Sequence, residues 1–212
     1  EFPFNETVDQ AKAINSIIAD LCSNKLTDRL ICGDVGFGKT EIAMRAAFLA
    51  VHSGMQVVLI VPTTLLATQH YHNFCDRFIK WPIKIRLYAG TSKENNQVKA
   101  EIKTGNCDII IATHKILSKD ISFHNLGLLI IDEEHRFGVT HKEKLKNIKV
   151  NIDIITLTAT PIPRTLQLSL ASVKDLSIIA TPPVARIPIQ TQVGIFNEEI
   201  IKDAIMRELN RG

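Results

Sequence analysis

Short apolar runs alternating with helical patterns predict a doubly wound α/β fold on a mostly parallel sheet. Two observations carry this. The runs QVVLIV (56–61), CDIIIA (107–112) and LGLLIID (126–132) are apolar at successive positions, as in strands buried on both faces. Segments of helical periodicity separate them, which suits the crossovers that parallel strands need.

The elements follow in order. Residues 7–21 read as a helix with Ala11, Ile14, Ile18 and Leu21 on one face. Residues 29–32 form a strand, and after a glycine-rich stretch residues 41–52 form a helix that ends at Gly54, a natural residue for a left-handed C-terminal turn. Residues 56–61 are a buried strand, 65–78 a helix, 83–88 a strand, and 94–104 a polar helix closed by Gly105. The runs 107–112, 126–132 and 153–159 supply three more strands. After ATPP (180–183) the texture changes: 186–193 alternates like an exposed or linking strand, and 197–209 is an amphipathic helix. This divides the chain into a lobe over 1–185 and a linker with the first helix of a second unit over 186–212. The chain starts without Met and reads as part of something longer.

Composition narrows the class. With 45% hydrophobic and 22% charged residues in 212, the chain has the make-up of a folded domain, not a disordered one. A net charge of +3 is compatible with nucleic acid but too small to argue for it. The four cysteines (Cys22, Cys32, Cys75, Cys107) form no CxxC pair, which speaks against a zinc site or a disulfide framework and for a reducing cytoplasm. No apolar run approaches the ~18 residues of a membrane helix.

The stretch GDVGFGKTE (33–41) carries the first chemistry. Gly33, Gly38, Lys39 and Thr40 satisfy G-x-x-x-x-G-K-[ST] between a strand and a helix, the context a phosphate cradle needs. Backbone N–H groups of Gly36 to Thr40 would point at the β- and γ-phosphates of ATP at a helix N-terminus, within an ATP-binding stretch of Gly33, Asp34, Val35, Gly36, Phe37, Gly38, Lys39, Thr40 and Glu41. Lys39 would neutralise phosphate oxygens, and Thr40 would give its hydroxyl to Mg²⁺. The sequence DEEH at the end of a strand supplies acids: Asp132 would hold Mg²⁺ through water, and Glu133 would orient and deprotonate the attacking water. His135 is either a surface residue or a link to a neighbouring site. In LTATPIPRT (157–165), Thr158 and Thr160 end a strand beside the expected place of Asp132, where they would bond His135 and sense the γ-phosphate. The basic residues between Arg136 and Lys149 read as a solvated helix face, not a DNA track.

Taken in order, the cradle, DEEH and TATP resemble the superfamily 2 helicases and translocases, with a RecA-like P-loop NTPase lobe. Phe4, Thr7 and Gln10 in FNETVDQ resemble the adenine-reading Q motif; VPTTLLATQH (61–70) and ATHKIL (112–117) resemble motifs Ia and Ib. GDVGFGKT, DEEHRFGV and TATPIPRTL together resemble the first motor lobe of the bacterial transcription-repair coupling factors, relatives of the branch-migration helicase RecG. The resemblance runs through nearly the whole chain.

It implies an ATP-driven translocase on double-stranded DNA, cytoplasmic in bacteria. It further implies contact with stalled RNA polymerase and excision-repair proteins through domains outside this chain. By motif match, Thr63, Thr64, Thr113 and His114 would touch the DNA backbone. Arg164 would contact DNA or couple the lobes. The family carries a Ser-Arg-Phe-like segment where this chain has Ala89-Gly90-Thr91-Ser92, so that arginine's DNA contact does not carry over. The resemblance also implies that arginine fingers come from a second lobe, so this chain alone is expected to bind nucleotide weakly and hydrolyse it barely at all. The alternatives are a RecG-like fork remodeller, a small-molecule P-loop kinase, for which no arginine-rich lid is found, and a nucleotide-gated binding module without turnover.

Overall fold

Thr7 starts the first helix. Its hydroxyl accepts the Gln10 N–H while the Gln10 side chain accepts the Thr7 N–H, a reciprocal capping box that begins α1 (Val8–Leu21). The computed structural model that carries this geometry describes residues 5–90, 94–118, 120–133, 152–159, 175–183, 191 and 193–211. The buried face of α1 is Gln10, Ala13, Ile14 and Ile17, one position away from the expected Ala11–Ile14–Ile18–Leu21 stripe. A polar residue belongs to that face because its amide is satisfied locally. Ile18, 44% exposed, instead lines a groove of about 330 Å³ with Phe48 and Trp81.

The remaining elements are β1 (Asp28–Gly33), α2 (Lys39–His52), β2 (Gln56–Ile60), α3 (Thr64–Phe78), β3 (Ile85–Tyr88), α4 (Glu94–Thr104) and β4 (Ile109–Ala112). A short 3₁₀ turn (His114–Leu117), β5 (Leu126–Asp132), β6 (Asp153–Thr158), β7 (Asp175–Ile179) and α5 (Glu198–Leu209) complete them. β7 was not anticipated. It is an edge strand whose alternating exposure leaves no continuous apolar run to read. The expected 185/186 division falls outside the described residues, as does most of the expected linking strand over 186–193. The helix beyond it forms as α5, capped by the Asn197 side chain, and every described residue of α5 is exposed.

The strand order is β3-β4-β2-β5-β6-β1-β7, and every pairing is parallel. Alternate residues of the central strands feed two cores. Val57, Leu59, Ile109, Ile111, Leu128 and Ile130 join Ala13, Ile17, Ala43, Ala47 and Phe74 from α1, α2 and α3. Val58, Ile60, Ile110, Leu129 and Ile131 face Val98 and Ile102 of α4 on the other side. This explains the unbroken apolar runs: each side chain is buried whichever way it points. Each Leu or Ile so buried contributes about 1.5–3 kcal/mol relative to exposure.

The register aligns the carboxyl ends of the strands. Cys32 lies beside Thr158, Leu157 beside Asp132, and Ile60 beside both Ile131 and Ala112. The loops after β1, β6, β5, β2 and β4 therefore leave the sheet on one edge, where ligands bind in open α/β sheets.

Candidate active site

The cradle is built by close approach. A Cβ on Gly33 would lie 3.1 Å from the Ile179 Cβ and 3.2 Å from its carbonyl oxygen, so a larger residue would have to push β7 outward by a few tenths of an ångström. Gly38 has φ +79°, and a Cβ there would meet Gln10 Nε2 at 2.4 Å. The Gln10 amide donates to the Phe37 carbonyl at 2.9 Å and is 4% exposed. Phe37 itself is buried in the α1–α2–α3 core, so its ring anchors the loop, whereas Val35 stands exposed at the tip. Gln10, expected to read adenine, thus has both ends of its amide on backbone of this chain.

α2 begins at Lys39, two residues before the expected start, which puts Lys39 and Thr40 in its first turn. Among the described residues, the N–H groups of Gly36, Gly38, Lys39 and Thr40 find no backbone acceptor, which is the donor set of an anion site at a helix N-terminus. Lys39 Nζ donates to the carbonyls of Gly33 at 2.6 Å and Asp34 at 2.9 Å. Burial pushes its pKa down, and the carboxylates of Asp132, Glu133 and Asp34 pull it back up, so those acids face the ammonium. Asp34 accepts the Val35 N–H, which shapes the tip. The Glu41 carboxylate pairs with Arg45 of its own helix at 2.9 Å and Arg77 of α3 at 2.8 Å. Its link to the cradle is its N–H, which donates to the Gly38 carbonyl.

Asp132 ends β5, and Glu133 follows in the left-handed region at φ 56°. A glutamate adopts that conformation at a cost of about 1–3 kcal/mol and only when its surroundings impose it. Here the Glu133 N–H donates to the Leu157 carbonyl, and its carboxylate accepts the Ala159 N–H at 3.2 Å. Thr158 is buried one residue away, level with Cys32. Asp132 Oδ2 lies 3.3 Å from Nε2 of His70, a residue 8% exposed on α3 that sequence reasoning did not single out. The signal was present: His70 shares the buried face of α3 with Ala67, Phe74 and Phe78, an imidazole among apolar residues.

Phe4, His135, Thr160 and Arg164 lie outside the described residues. The residues expected at nucleic acid sit on the same edge. Thr63 caps α3 by accepting the Leu66 N–H, Thr64 opens the helix, and both are exposed. His114 opens the 3₁₀ turn and is half-buried, whereas Thr113 is 3% exposed and serves the turn through its carbonyl, which accepts the Ile116 N–H.

Residues 7–169 match the DEAD/DEAH box helicase family. The chain belongs to that family. This helicase lobe is 55% identical over 213 aligned positions to the transcription-repair-coupling factor of Escherichia coli and, equally, to that of Bacillus subtilis. The alignments take in all of this chain but 19% and 18% of those proteins, so the chain spans about a fifth of the length of the curated relatives it matches. Among solved structures, RecG bound to a three-way DNA junction superposes with a TM-score of 0.84 at 34% identity, over 100% of this chain and 29% of that one. The Pyrococcus furiosus Hef helicase domain gives 0.62 at 26% identity, over 92% and 44%. The fold is a RecA-like helicase lobe.

Helicases of this family are ATP-dependent, usually with Mg²⁺. The donor set here fits that ion. Among the described residues no group of three or more His, Cys, Asp or Glu forms a protein-only metal cage. What the cradle offers is the Thr40 hydroxyl in the first turn of α2, with the carboxylates of Asp132 and Glu133 at the end of β5. Mg²⁺ takes one or two hard oxygen ligands from protein and the rest from phosphate and water. Among the described residues no helix is long and apolar enough to cross a membrane.

Proposed function

We propose that this chain is the ATP-binding first motor lobe of a translocase on double-stranded DNA. In the longer protein that motor displaces stalled RNA polymerase and couples transcription to nucleotide excision repair. The observation that carries this reading is the 55% identity through the whole chain to transcription-repair-coupling factors. The convergence of Lys39, Asp132 and Glu133 on one sheet edge supports it.

The roles follow from the chemistry of the groups. The helix N-terminus and the loop N–H groups bind phosphate oxygens, and Lys39 neutralises them. Thr40 and Asp132 would hold Mg²⁺, which would supply positive charge against that building on the phosphates. Glu133 takes a proton from the attacking water, its carboxylate plane fixed by the Ala159 N–H. Thr158, with Thr160, His135 and Arg164, relays the phosphate state toward the DNA side. Phe4 and Thr7 hold the adenine end, while Gln10, its amide engaged by the Thr7 N–H and the Phe37 carbonyl, braces the cradle. Thr63, Thr64 and His114 contact DNA phosphates, with Thr113 setting the turn beneath. Residues 186–212 lead into a second lobe that completes the site, so the 212-residue chain alone turns over little ATP.

The second reading, a RecG-like branch-migration motor, is favoured by the TM-score of 0.84 with RecG. The test is displacement of RNA polymerase stalled on linear duplex DNA by the longer protein with ATP. Displacement that stops in the Glu133→Gln variant is the expected result. ATP-dependent unwinding of branched junctions without displacement would favour the second reading instead.

A further inference from the structure

We propose that His70 is a positioning residue for the Asp132 carboxylate, tying the metal-holding end of β5 to α3, whose first turn presents Thr63 and Thr64. The proposal deepens the nucleotide-site reading above and rests on it.

Three observations carry it. His70 Nε2 lies 3.3 Å from Asp132 Oδ2, and the two residues are 62 positions apart, so the contact exists only because the sheet brings α3 over the end of β5. The imidazole is 8% exposed and meets Phe74 edge-on, with ring centroids 6.5 Å apart. Phe74 is fully buried, so the ring has a fixed place. Finally, His70 Nδ1 is buried without a hydrogen-bond partner among the described residues. A leucine would fill this space at no polar cost, whereas the buried imidazole leaves Nδ1 unsatisfied among those residues and has its polar contact with Asp132 at Nε2.

The direction of the bond follows from the partner. An ionised carboxylate only accepts, so Nε2 is the donor across this contact. The donated hydrogen bond orients Oδ2, so the carboxylate would be held in place toward a metal-bound water. Partners of this kind orient metal-holding carboxylates in many proteins, and their loss costs about 10–100-fold in metal affinity. The same bond links two sites. Thr63 caps α3 and His70 follows seven residues later, about 10 Å along a continuous helix. A shift of the first turn on engaging DNA phosphate is therefore carried by a rigid element to the Asp132 carboxylate.

The test compares the wild-type 212-residue chain with His70→Gln, which keeps an N–H donor, and His70→Leu, which keeps bulk without one. Binding of a fluorescent ATP analogue is followed through a Mg²⁺ titration and in EDTA, with thermal unfolding alongside. His70→Leu is expected to raise the Mg²⁺ midpoint by about tenfold or more while leaving affinity in EDTA unchanged. His70→Gln is expected to restore the wild-type midpoint. A wild-type midpoint in His70→Leu would overturn the proposal, as would an equal loss of affinity with and without Mg²⁺, which marks a structural role alone. Should His70→Leu fail to fold, His70→Asn, polar but too short to reach Asp132, stands in under the same criteria. Absence of Mg²⁺-dependent binding by the wild-type chain would overturn the nucleotide reading itself.

Discussion

The Glu133 carboxylate accepts the Ala159 N–H at 3.2 Å, joining the acidic end of β5 to the threonine-bearing end of β6 across adjacent strands. Together with the Glu133 N–H on the Leu157 carbonyl, this holds a glutamate at φ 56°, a backbone geometry it would not choose. The strain falls on the residue assigned to the attacking water.

Glu133→Gln keeps the shape and can still accept the Ala159 N–H through its carbonyl oxygen, but it cannot take a proton. In the longer protein, ATP turnover is expected to fall by about 10² or more with nucleotide affinity retained. Steady-state hydrolysis measured beside equilibrium binding checks this; near-wild-type turnover would remove Glu133 from the role.

Gln10 separates two functions in one side chain. Its Oε1 caps α1 and its Nε2 holds the Phe37 carbonyl in the cradle. Gln10→Ala loses both, and a stability loss of about 1–3 kcal/mol is expected in chemical denaturation. Gln10→Glu keeps the cap but not the donor. Its nucleotide affinity is expected to fall at neutral pH while α1 stays capped, and affinity equal to wild type would argue against Gln10 as a brace of the cradle.

A third expectation concerns acid. The Thr181 hydroxyl, with the N–H groups of Ala180 and Thr181, holds the Asp9 carboxyl below its ordinary pKa and ties the start of α1 to the residues after β7. A folded-state pKa that is depressed adds stability above the ordinary carboxylate value and loses it as pH falls through the folded value. Below about pH 4 the wild-type chain is therefore expected to lose stability more steeply than Asp9→Asn. Denaturation midpoints measured across that range check the sign.

Contiguous signals were legible in the sequence. The unbroken apolar runs announced strands buried on both faces, and GDVGFGKT and DEEH each placed their chemistry within a few residues of a strand end. Contacts between distant segments were not legible: Gln10 meets Phe37 across 27 positions and His70 meets Asp132 across 62. The α1 face was misplaced by one residue because a buried glutamine reads as surface until its partners are known. Glu41 reads as part of the cradle by adjacency, yet its carboxylate turns to Arg77, 36 positions on. β7 escaped because an edge strand buries too little to announce itself.

The central claim is a phosphate site centred on Lys39, whose ammonium also braces the carbonyls of Gly33 and Asp34. The direct measurement is calorimetric titration of a non-hydrolysable ATP analogue with Mg²⁺ into the wild-type chain and Lys39→Ala. One-to-one binding by the wild type, reduced at least about tenfold in Lys39→Ala, is the predicted result. No binding by the wild type, or equal binding by both, would contradict it.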